Sequence, residues 1–229
     1  MLLNTMIIGT SGTGKTIEFY KFHKYILNNQ NGPVLIINEP AHSPKPSGEN
    51  IKLIDLNRLT HYKNGLMPDL DINTVLYITL SRFNDSLNRE ALNDVIKTIE
   101  SCHEHTYLLI DAPAYISMFN EKFFRQPHLL TVCTLNTIHQ LASEKICDMF
   151  SDIFILGCYD PDTLCYITDR ANRTESTVKY GAEKMQQCLL QNIAHFTGNK
   201  LIWEDFKEDL KQSRFKSDIK PLGMNDAEK

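Results

Sequence analysis

The sequence lacks an excess of basic charge, a long hydrophobic run and a large set of cysteines. Its 229 residues include 24 Lys and Arg against 28 Asp and Glu, which gives a formal net charge of −4. Proteins that coat nucleic acids carry a clear excess of Lys and Arg, so the charge argues against that class. A motor that grips only a few phosphates at a time remains compatible with it.

No stretch approaches the roughly 18 consecutive apolar residues of a membrane span. The first nine residues lack the basic leader of a secretory signal. We therefore expect no transmembrane segment and no secretion. The six cysteines are then typical of reduced thiols in a cytosol-like compartment.

Short apolar runs alternate with segments of helical periodicity along most of the chain. The predicted strands cover residues 3–8, 34–37, 51–56, 75–80, 107–110, 129–134 and 153–156. The main predicted helices cover residues 16–29, 86–102 and 139–150. Continuous apolar strands separated by helices are typical of a mostly parallel sheet sandwiched by helices, so the predicted fold class is α/β.

The strand pattern fades after Gly157. Residues 182–196 and 203–215 have helical periodicity, and residues 217–229 form a charged tail. We therefore predict an α/β core over residues 1–175 and a helical C-terminal extension with a charged tail over residues 176–229. Both are expected to belong to one compact domain.

A phosphate-binding pattern lies near the start of the chain. The run Gly9-Thr10-Ser11-Gly12-Thr13-Gly14-Lys15-Thr16 matches Gly-x-x-x-x-Gly-Lys-Ser/Thr at every position, between a predicted strand and a predicted helix. Glycines let the backbone turn its N–H groups around a phosphate. Lys15 supplies positive charge, and the Thr16 hydroxyl is a ligand for Mg²⁺. We predict a nucleotide site with Mg²⁺ at residues 9–16.

Asp111 is the predicted second metal-binding residue. It ends the apolar run Tyr107-Leu108-Leu109-Ile110, and an acidic residue at the end of a neighbouring strand holds Mg²⁺ in this type of site. The alternative interpretation is an Asp that only begins the turn at Ala112-Pro113.

The catalytic base is less clearly marked. In many ATPases a Glu directly follows the metal-binding Asp, but position 112 is alanine. Glu39 follows the predicted strand 34–37, which we expect beside the strand of the phosphate loop. Because the carboxyl ends of parallel strands meet at the ligand crevice, Glu39 is our candidate base. A structural role before Pro40 remains the alternative.

With these motifs in order, the sequence resembles the FtsK–HerA family of P-loop DNA pumps, and most of all the small genome-packaging ATPases of tailless internal-membrane viruses. The resemblance covers about residues 1–170. It rests on the phosphate loop, the strand and acidic-Pro turn over residues 34–40, the strand ending at Asp111, and residues 123–136. Two departures are Ala112, where the family has an acidic residue, and Asn136, where it has glutamine.

The resemblance implies a RecA-like P-loop NTPase core that hydrolyses ATP with Mg²⁺ and translocates double-stranded DNA. Asn136 then takes the place of the family's glutamine at the γ-phosphate. Arg125 becomes a finger that acts on the ATP of a neighbouring subunit, with Arg82 and Arg173 as rivals. Such a finger implies a ring homo-oligomer.

The same resemblance implies where and with what the protein acts. DNA would thread the ring and touch loop lysines through its phosphates only; the candidate contacts are Lys45, Lys52 and Lys63. The expected location is the packaging vertex of a virion or the host cytoplasm. A capsid or membrane portal protein is a further expected partner.

Three other functions remain open from the sequence. The run Asp169-Arg170-Ala171-Asn172-Arg173 suits the Arg-bearing lid of a small-molecule kinase, although no acceptor pocket can be assembled. Ala112 suits an assembly factor that binds ATP without useful hydrolysis. A conjugation or secretion pump is the third, but those usually carry large extra domains, and the short chain favours genome packaging. A signalling GTPase is disfavoured because its guanine-reading and γ-phosphate-sensing residues are missing.

Overall fold

The computed structural model describes residues 4–29, 31–39, 51–62, 66–157, 160–174, 179–198 and 200–205. Within these ranges nine strands form one sheet. They are β1 (Thr5–Ile8), β2 (Val34–Asn38), β3 (Ile51–Asp55), β4 (Val75–Thr79), β5 (Thr106–Asp111), β6 (Leu129–Leu135), β7 (Asp152–Ile155), β8 (Asn192–Thr197) and β9 (Lys200–Asp205).

Five α-helices and four 3₁₀ segments connect the described strands. The α-helices are α1 (Lys15–Asn29), α2 (Asp85–Ser101), α3 (Glu121–Phe124), α4 (Pro161–Thr174) and α5 (Ala182–Leu189). The 3₁₀ segments are Leu56–Arg58, Pro113–Met118, Ile138–Gln140 and Glu144–Met149. None of the described helices is long and apolar enough to cross a membrane.

The sheet has the order β3-β4-β2-β5-β6-β1-β7-β8-β9. The first seven strands in this order are parallel, and β8 and β9 add an antiparallel hairpin beyond β7. The predicted α/β class with a mostly parallel sheet is therefore confirmed. Strand β1 lies between β6 and β7, and its carboxyl end opens into the phosphate loop.

Helices cover both faces of the sheet, as predicted. Alternate residues of each central strand point to opposite faces. On one face, Met6 and Leu35 belong to a large core with the apolar side of α2 and with α4. On the other face, Ile7 and Ile36 pack in a second core with Phe19 of α1. Burial on both faces explains why these strands are continuous apolar runs in the sequence.

The C-terminal part differs from the helical extension that we predicted. The predicted helix over residues 182–196 ends at Leu189, and residues 192–197 form β8. Strand β9 includes the start of the predicted helix 203–215, whose remainder lies outside the described residues, as does the tail 217–229. The physical reason is that β8 pairs with the edge of β7, and burial of Ile193 and Phe196 outweighs their weak helical periodicity.

The helix predicted over residues 139–150 is also wrong. The chain instead forms the two 3₁₀ segments Ile138–Gln140 and Glu144–Met149, separated by residues 141–143, of which Leu141 and Ser143 have extended backbone. The Ser143 side chain accepts a hydrogen bond from the Lys145 N–H and so starts the second segment. Local side-chain bonds of this kind compete with a continuous helix. The proposed division of the chain at residue 175 stays a prediction.

Candidate nucleotide-binding site

The predicted phosphate-binding loop joins β1 to α1 and needs its glycines. Gly12 and Gly14 have φ angles of 83° and 94°, in the left-handed region that glycine adopts without strain. At Gly9, a Cβ atom would lie 2.2 Å from the carbonyl oxygen of Leu156, so no larger residue fits there. The loop therefore has the tight backbone course that its sequence pattern predicts.

Two neighbouring strands hold the loop in place. The Gly9 N–H donates to the carbonyl of Leu135 at the end of β6 (3.0 Å). On the other side, the Thr10 hydroxyl donates to the carbonyl of Gly157, just after β7 (2.9 Å). A third bond, from the Thr13 hydroxyl to the Thr10 carbonyl (2.8 Å), closes the loop on itself. The loop is thus preorganised by contacts to both strands that flank β1.

Lys15 begins α1 and is only 9% exposed. Its Nζ donates to the Thr10 carbonyl at 3.0 Å, so the ammonium group lies back over the loop. Burial lowers the pKa of Lys15, while the nearby carboxylates of Asp111 and Glu39 act in the opposite direction. A phosphate bound in the loop would compensate this buried positive charge.

Asp111 lies at the end of β5 and receives two hydroxyl hydrogen bonds. The Thr16 hydroxyl donates to Oδ2 at 3.3 Å, and the Thr134 hydroxyl donates to Oδ1 at 2.7 Å. The predicted pair Thr16 and Asp111 is therefore brought together. Thr134, fully buried at the end of β6, was missed by the sequence analysis. The sequence feature that could have pointed to Thr134 is its place as a polar residue near the end of a largely apolar strand. That strand, β6, lies next to β5, which ends in Asp111.

Glu39 lies at the same edge of the sheet, although the order of the strands differs from the one that we expected. We expected its strand beside the strand of the phosphate loop, but β5 and β6 separate β2 from β1. The reason is that β2 pairs with β5, which places Asn38 beside Asp111. The Glu39 N–H then donates to the Asp111 carbonyl at 3.2 Å. The exposed Glu39 lines the cleft together with Lys15.

Asn136 follows β6 and also lines the cleft. Its backbone N–H donates to Oε1 of Gln140 at 2.6 Å, and the next N–H, of Thr137, donates to the same atom at 3.3 Å. Gln140 was not singled out from the sequence. It fixes the turn that carries Asn136, and its own side chain borders the cleft.

The cleft itself has a volume of about 440 Å³, within the range of small-molecule sites. It is open to solvent above the phosphate loop. Its walls combine the loop, the ends of β2, β5 and β6, and the turn after Asp111. The predicted loop residues and the candidate residues Glu39, Asp111 and Asn136 therefore meet in one place.

The candidate arginines do not reach this cleft. Arg125 lies before the amino end of β6, whereas Asn136 follows its carboxyl end, so about 20 Å of strand separates them. The Arg125 side chain is 68% exposed and lies 3.8 Å from the carboxylate of Glu121. Arg82 follows β4 at the carboxyl edge, and Arg173 lies in α4. Lys52 is exposed on β3, while Lys45 and Lys63 lie outside the described residues.

The fold has counterparts among solved structures. No protein-family model and no curated protein sequence matches the chain. The genome-packaging NTPase B204 from Sulfolobus turreted icosahedral virus 2, in complex with ATPγS, superposes with a TM-score of 0.59 at 10% sequence identity. The match covers 89% of this chain and 97% of that one. The chain therefore has the fold of a viral genome-packaging NTPase.

Two further structures of B204 give similar values. The complex of the same viral protein with AMPPCP has a TM-score of 0.56, 12% identity, and coverage of 89% and 97%. B204 from Sulfolobus turreted icosahedral virus, described as a DNA-packaging ATPase, has a TM-score of 0.50, again at 12% identity and with the same coverage. At such low identity the likeness establishes the fold alone, which is that of a P-loop NTPase.

Proposed function

We propose that the chain is an ATPase that translocates double-stranded DNA, and that it acts as the genome-packaging motor of a virus. The observation that carries the proposal is the contact between Thr16 and Asp111 beside the buried Lys15. This arrangement suits a nucleoside triphosphate with its metal ion. The likeness to B204, which covers nearly the whole of that packaging NTPase, supports the choice among P-loop functions.

The residues at the site fit Mg²⁺. The hydroxyl of Thr16 and the carboxylate of Asp111 are hard oxygen ligands, and both face the cleft above the loop. These two residues would hold the ion together with phosphate oxygens. When bound, the ion would neutralise the charge that develops on the transferred phosphate. Thr134 would keep the Asp111 carboxylate in its orientation through the 2.7 Å hydrogen bond.

The other cleft residues have separate roles in phosphate binding and in hydrolysis. Backbone N–H groups of residues 9–16 and the ammonium of Lys15 bind the phosphates. Glu39 accepts a proton from the attacking water, because it is the exposed carboxylate that lines the cleft beside Asp111. Asn136 donates a hydrogen bond to the γ-phosphate or to that water.

The coupling to DNA requires several copies of the chain. We propose membership of the FtsK–HerA group and a ring homo-oligomer in which Arg125 acts on the ATP of the neighbouring subunit. The exposure of Arg125 and its distance from the cleft of its own chain agree with a role in trans. The ring would lie at the packaging vertex or in the host cytoplasm, and a capsid or membrane portal protein is the proposed docking partner.

The test is the rate of ATP hydrolysis with and without double-stranded DNA. We expect DNA to stimulate the rate of the wild-type chain and to leave the Lys15→Ala variant inactive. Stimulation by a nucleoside or a sugar instead of DNA would indicate a kinase. Tight ATP binding with no turnover in either condition would indicate a nucleotide-dependent assembly factor and would overturn the proposed pump.

A further inference from the structure

A hydrogen-bonded loop between β4 and α2 displays Arg82 and Phe83 to solvent. Phe83 is 94% exposed, and the Arg82 guanidinium makes no ion pair with residues that the structure describes. The loop is nevertheless fixed. The Arg82 N–H donates to Oδ1 of Asn57 (3.0 Å), and the buried Asn88 side chain bonds to both the N–H and the carbonyl of Ser81 (2.7 and 2.9 Å).

Such an arrangement is suited to binding a partner. A phenylalanine exposed to this extent stabilises nothing in the isolated chain, and burying its apolar surface against a partner is favourable. Because the backbone is already fixed, little conformational entropy is lost when the loop is covered. Aromatic residues and arginine are also the side-chain types that most often anchor protein interfaces.

A cleft with complementary charge lies between α4, which follows β7, and the segment Glu144–Met149. Its volume is about 640 Å³, and Ile138 and Tyr166 contribute apolar surface. Four carboxylates outnumber two permanent cations around it; the carboxylates are Glu144, Asp148, Asp162 and Asp169, and the cations are Lys145 and Arg173. Of the four carboxylates, only Asp162 is paired with a described residue, His139 (2.8 Å).

The loop and the cleft of one chain cannot meet. Strands β4 and β7, which precede the loop and α4, are separated by four strands, and five strand spacings amount to about 24 Å. Any contact between the two features must therefore join different copies of the chain. A contact between two different surfaces of identical chains is head-to-tail, and it closes into a ring when its rotation permits.

We propose that the Arg82–Phe83 loop of one copy docks into the acidic cleft of the next copy. Phe83 would pack against the apolar surface near Tyr166, and Arg82 would pair with the unpaired carboxylates. This proposal takes from the proposed function only the assumption that the chain forms a ring. DNA is the less suitable occupant of the loop, because the neighbouring cations Arg58 and Arg89 are paired with Asp55 (3.2 Å) and Asp85 (2.7 Å). Among the described residues of the loop, this leaves Arg82 as a single unpaired cation, whereas DNA binding uses a basic patch.

The same docking places the neighbour near Arg125. Phe124 packs on Phe150, with ring centroids 5.3 Å apart, and Phe150 directly follows the 3₁₀ segment that lines the cleft. Arg125 therefore lies on the flank that would receive the neighbour. The docked loop comes from the carboxyl edge of the neighbour's sheet, which also carries its nucleotide cleft.

Two complementary variants test the interface. The loop variant is Arg82→Ala with Phe83→Ala, and the cleft variant is Glu144→Lys with Asp169→Lys. Sedimentation velocity with AMPPNP and Mg²⁺ measures assembly of each variant alone and of an equimolar mixture. We expect the wild type to form multimers and each variant alone to associate at least about tenfold more weakly. The mixture should form dimers and nothing larger, since one intact loop meets one intact cleft.

The control is Lys97→Glu, which makes the same kind of charge change on the exposed side of α2 and should assemble like the wild type. Circular dichroism and thermal unfolding verify that every variant is folded. A wild type that stays monomeric, a single variant that assembles normally, or a mixture that stays monomeric would each overturn the interface. Normal assembly of the loop variant with lost DNA stimulation would overturn it in favour of a DNA contact. Normal complementation without any effect of DNA on ATP hydrolysis would remove the proposed pump and leave the interface standing.

Discussion

The buried hydroxyl of Thr134 donates a 2.7 Å hydrogen bond to the carboxylate of Asp111, on the side opposite to the bond from Thr16. This contact joins the ends of β5 and β6. It holds one carboxylate oxygen toward the sheet and leaves the other at the cleft beside the phosphate loop.

Thr134→Val is expected to weaken the binding of Mg²⁺ at the proposed site. Loss of the hydroxyl frees the Asp111 carboxylate to rotate, and removal of such an outer contact typically costs about 10- to 100-fold in metal affinity or activity. We expect the Mg²⁺ concentration for half-maximal ATP hydrolysis to rise about tenfold, whereas Thr134→Ser retains the wild-type value. A Mg²⁺ titration of the ATPase rate measures this.

Thr131 provides a matched control on the same strand. It is equally buried, but its hydroxyl has no hydrogen-bond partner among the residues that the structure describes. Thr131→Val should therefore leave the Mg²⁺ dependence unchanged and should not lower the stability. An equal effect of both substitutions would show that a hydroxyl on β6 matters only for packing.

Lys15→Ala is expected to abolish ATP turnover. Lys15 is the buried cation of the phosphate loop, and its loss leaves the phosphates without their nearest positive charge. We expect a fall in kcat/KM of at least about 100-fold in a steady-state assay. Lys24→Ala, on the exposed side of the same helix, is the control and should behave like the wild type. Unchanged turnover in Lys15→Ala would rule out the site.

Glu39→Gln should separate binding from hydrolysis. The substitution keeps the size of the side chain and the backbone bond to Asp111 but removes the proton acceptor. We expect ATP to bind within about twofold of the wild type, while the rate of hydrolysis falls about 100-fold or more. Glu100→Gln, at an exposed position of α2, serves as the control. Wild-type hydrolysis in Glu39→Gln would mean that another group is the base.

His195 should make the stability of the chain depend on pH. It lies between Asp152 and Glu204, with its two ring nitrogens 3.0 and 2.9 Å from their carboxylate oxygens. Only the protonated ring donates to both. Burial alone would lower the pKa of His195, but these two hydrogen bonds outweigh it and the pKa is raised above its usual 6.5.

Because the pKa of His195 is raised, we expect the fold to become less stable as the pH rises. A raised pKa in the folded state stabilises the fold fully below about pH 6.5, and this contribution is lost as the pH rises through the folded-state value. We expect the melting temperature of the wild type to fall over that interval, and His195→Gln to reduce the change. Thermal unfolding at a series of pH values measures it. The same pH dependence in His195→Gln would assign the effect to other groups.

The central sheet could be predicted because its strands are buried on both faces. Runs such as Val34-Leu35-Ile36-Ile37 leave few other interpretations, and the phosphate loop has a pattern that backbone geometry requires. The C-terminal hairpin of β8 and β9 could not be predicted in this way. Ile193 and Phe196 become strand residues only because the edge of β7 is there to pair with them, and that edge is a property of the folded sheet.

At the site, too, some residues could be predicted from the sequence and others could not. Asp111 was identified from its own strand, but its partner Thr134 depends on β5 and β6 being neighbours. The strand order also explains why Glu39 reaches the cleft although β2 is not next to β1. Contacts between residues that are distant in sequence, such as the bond between Thr134 and Asp111, leave no local pattern at all.

The two anchors of the phosphate loop have a mechanical consequence. Leu135 leads into the turn and 3₁₀ segments that form one wall of the acidic cleft, and Gly157 precedes the helix that forms the other wall. The loop is therefore suspended between the two walls. A force that spread or closed them would act on the backbone of the phosphate loop from both sides. In the proposed ring, strain at a contact between subunits would therefore reach phosphates held in the loop through a few hydrogen bonds.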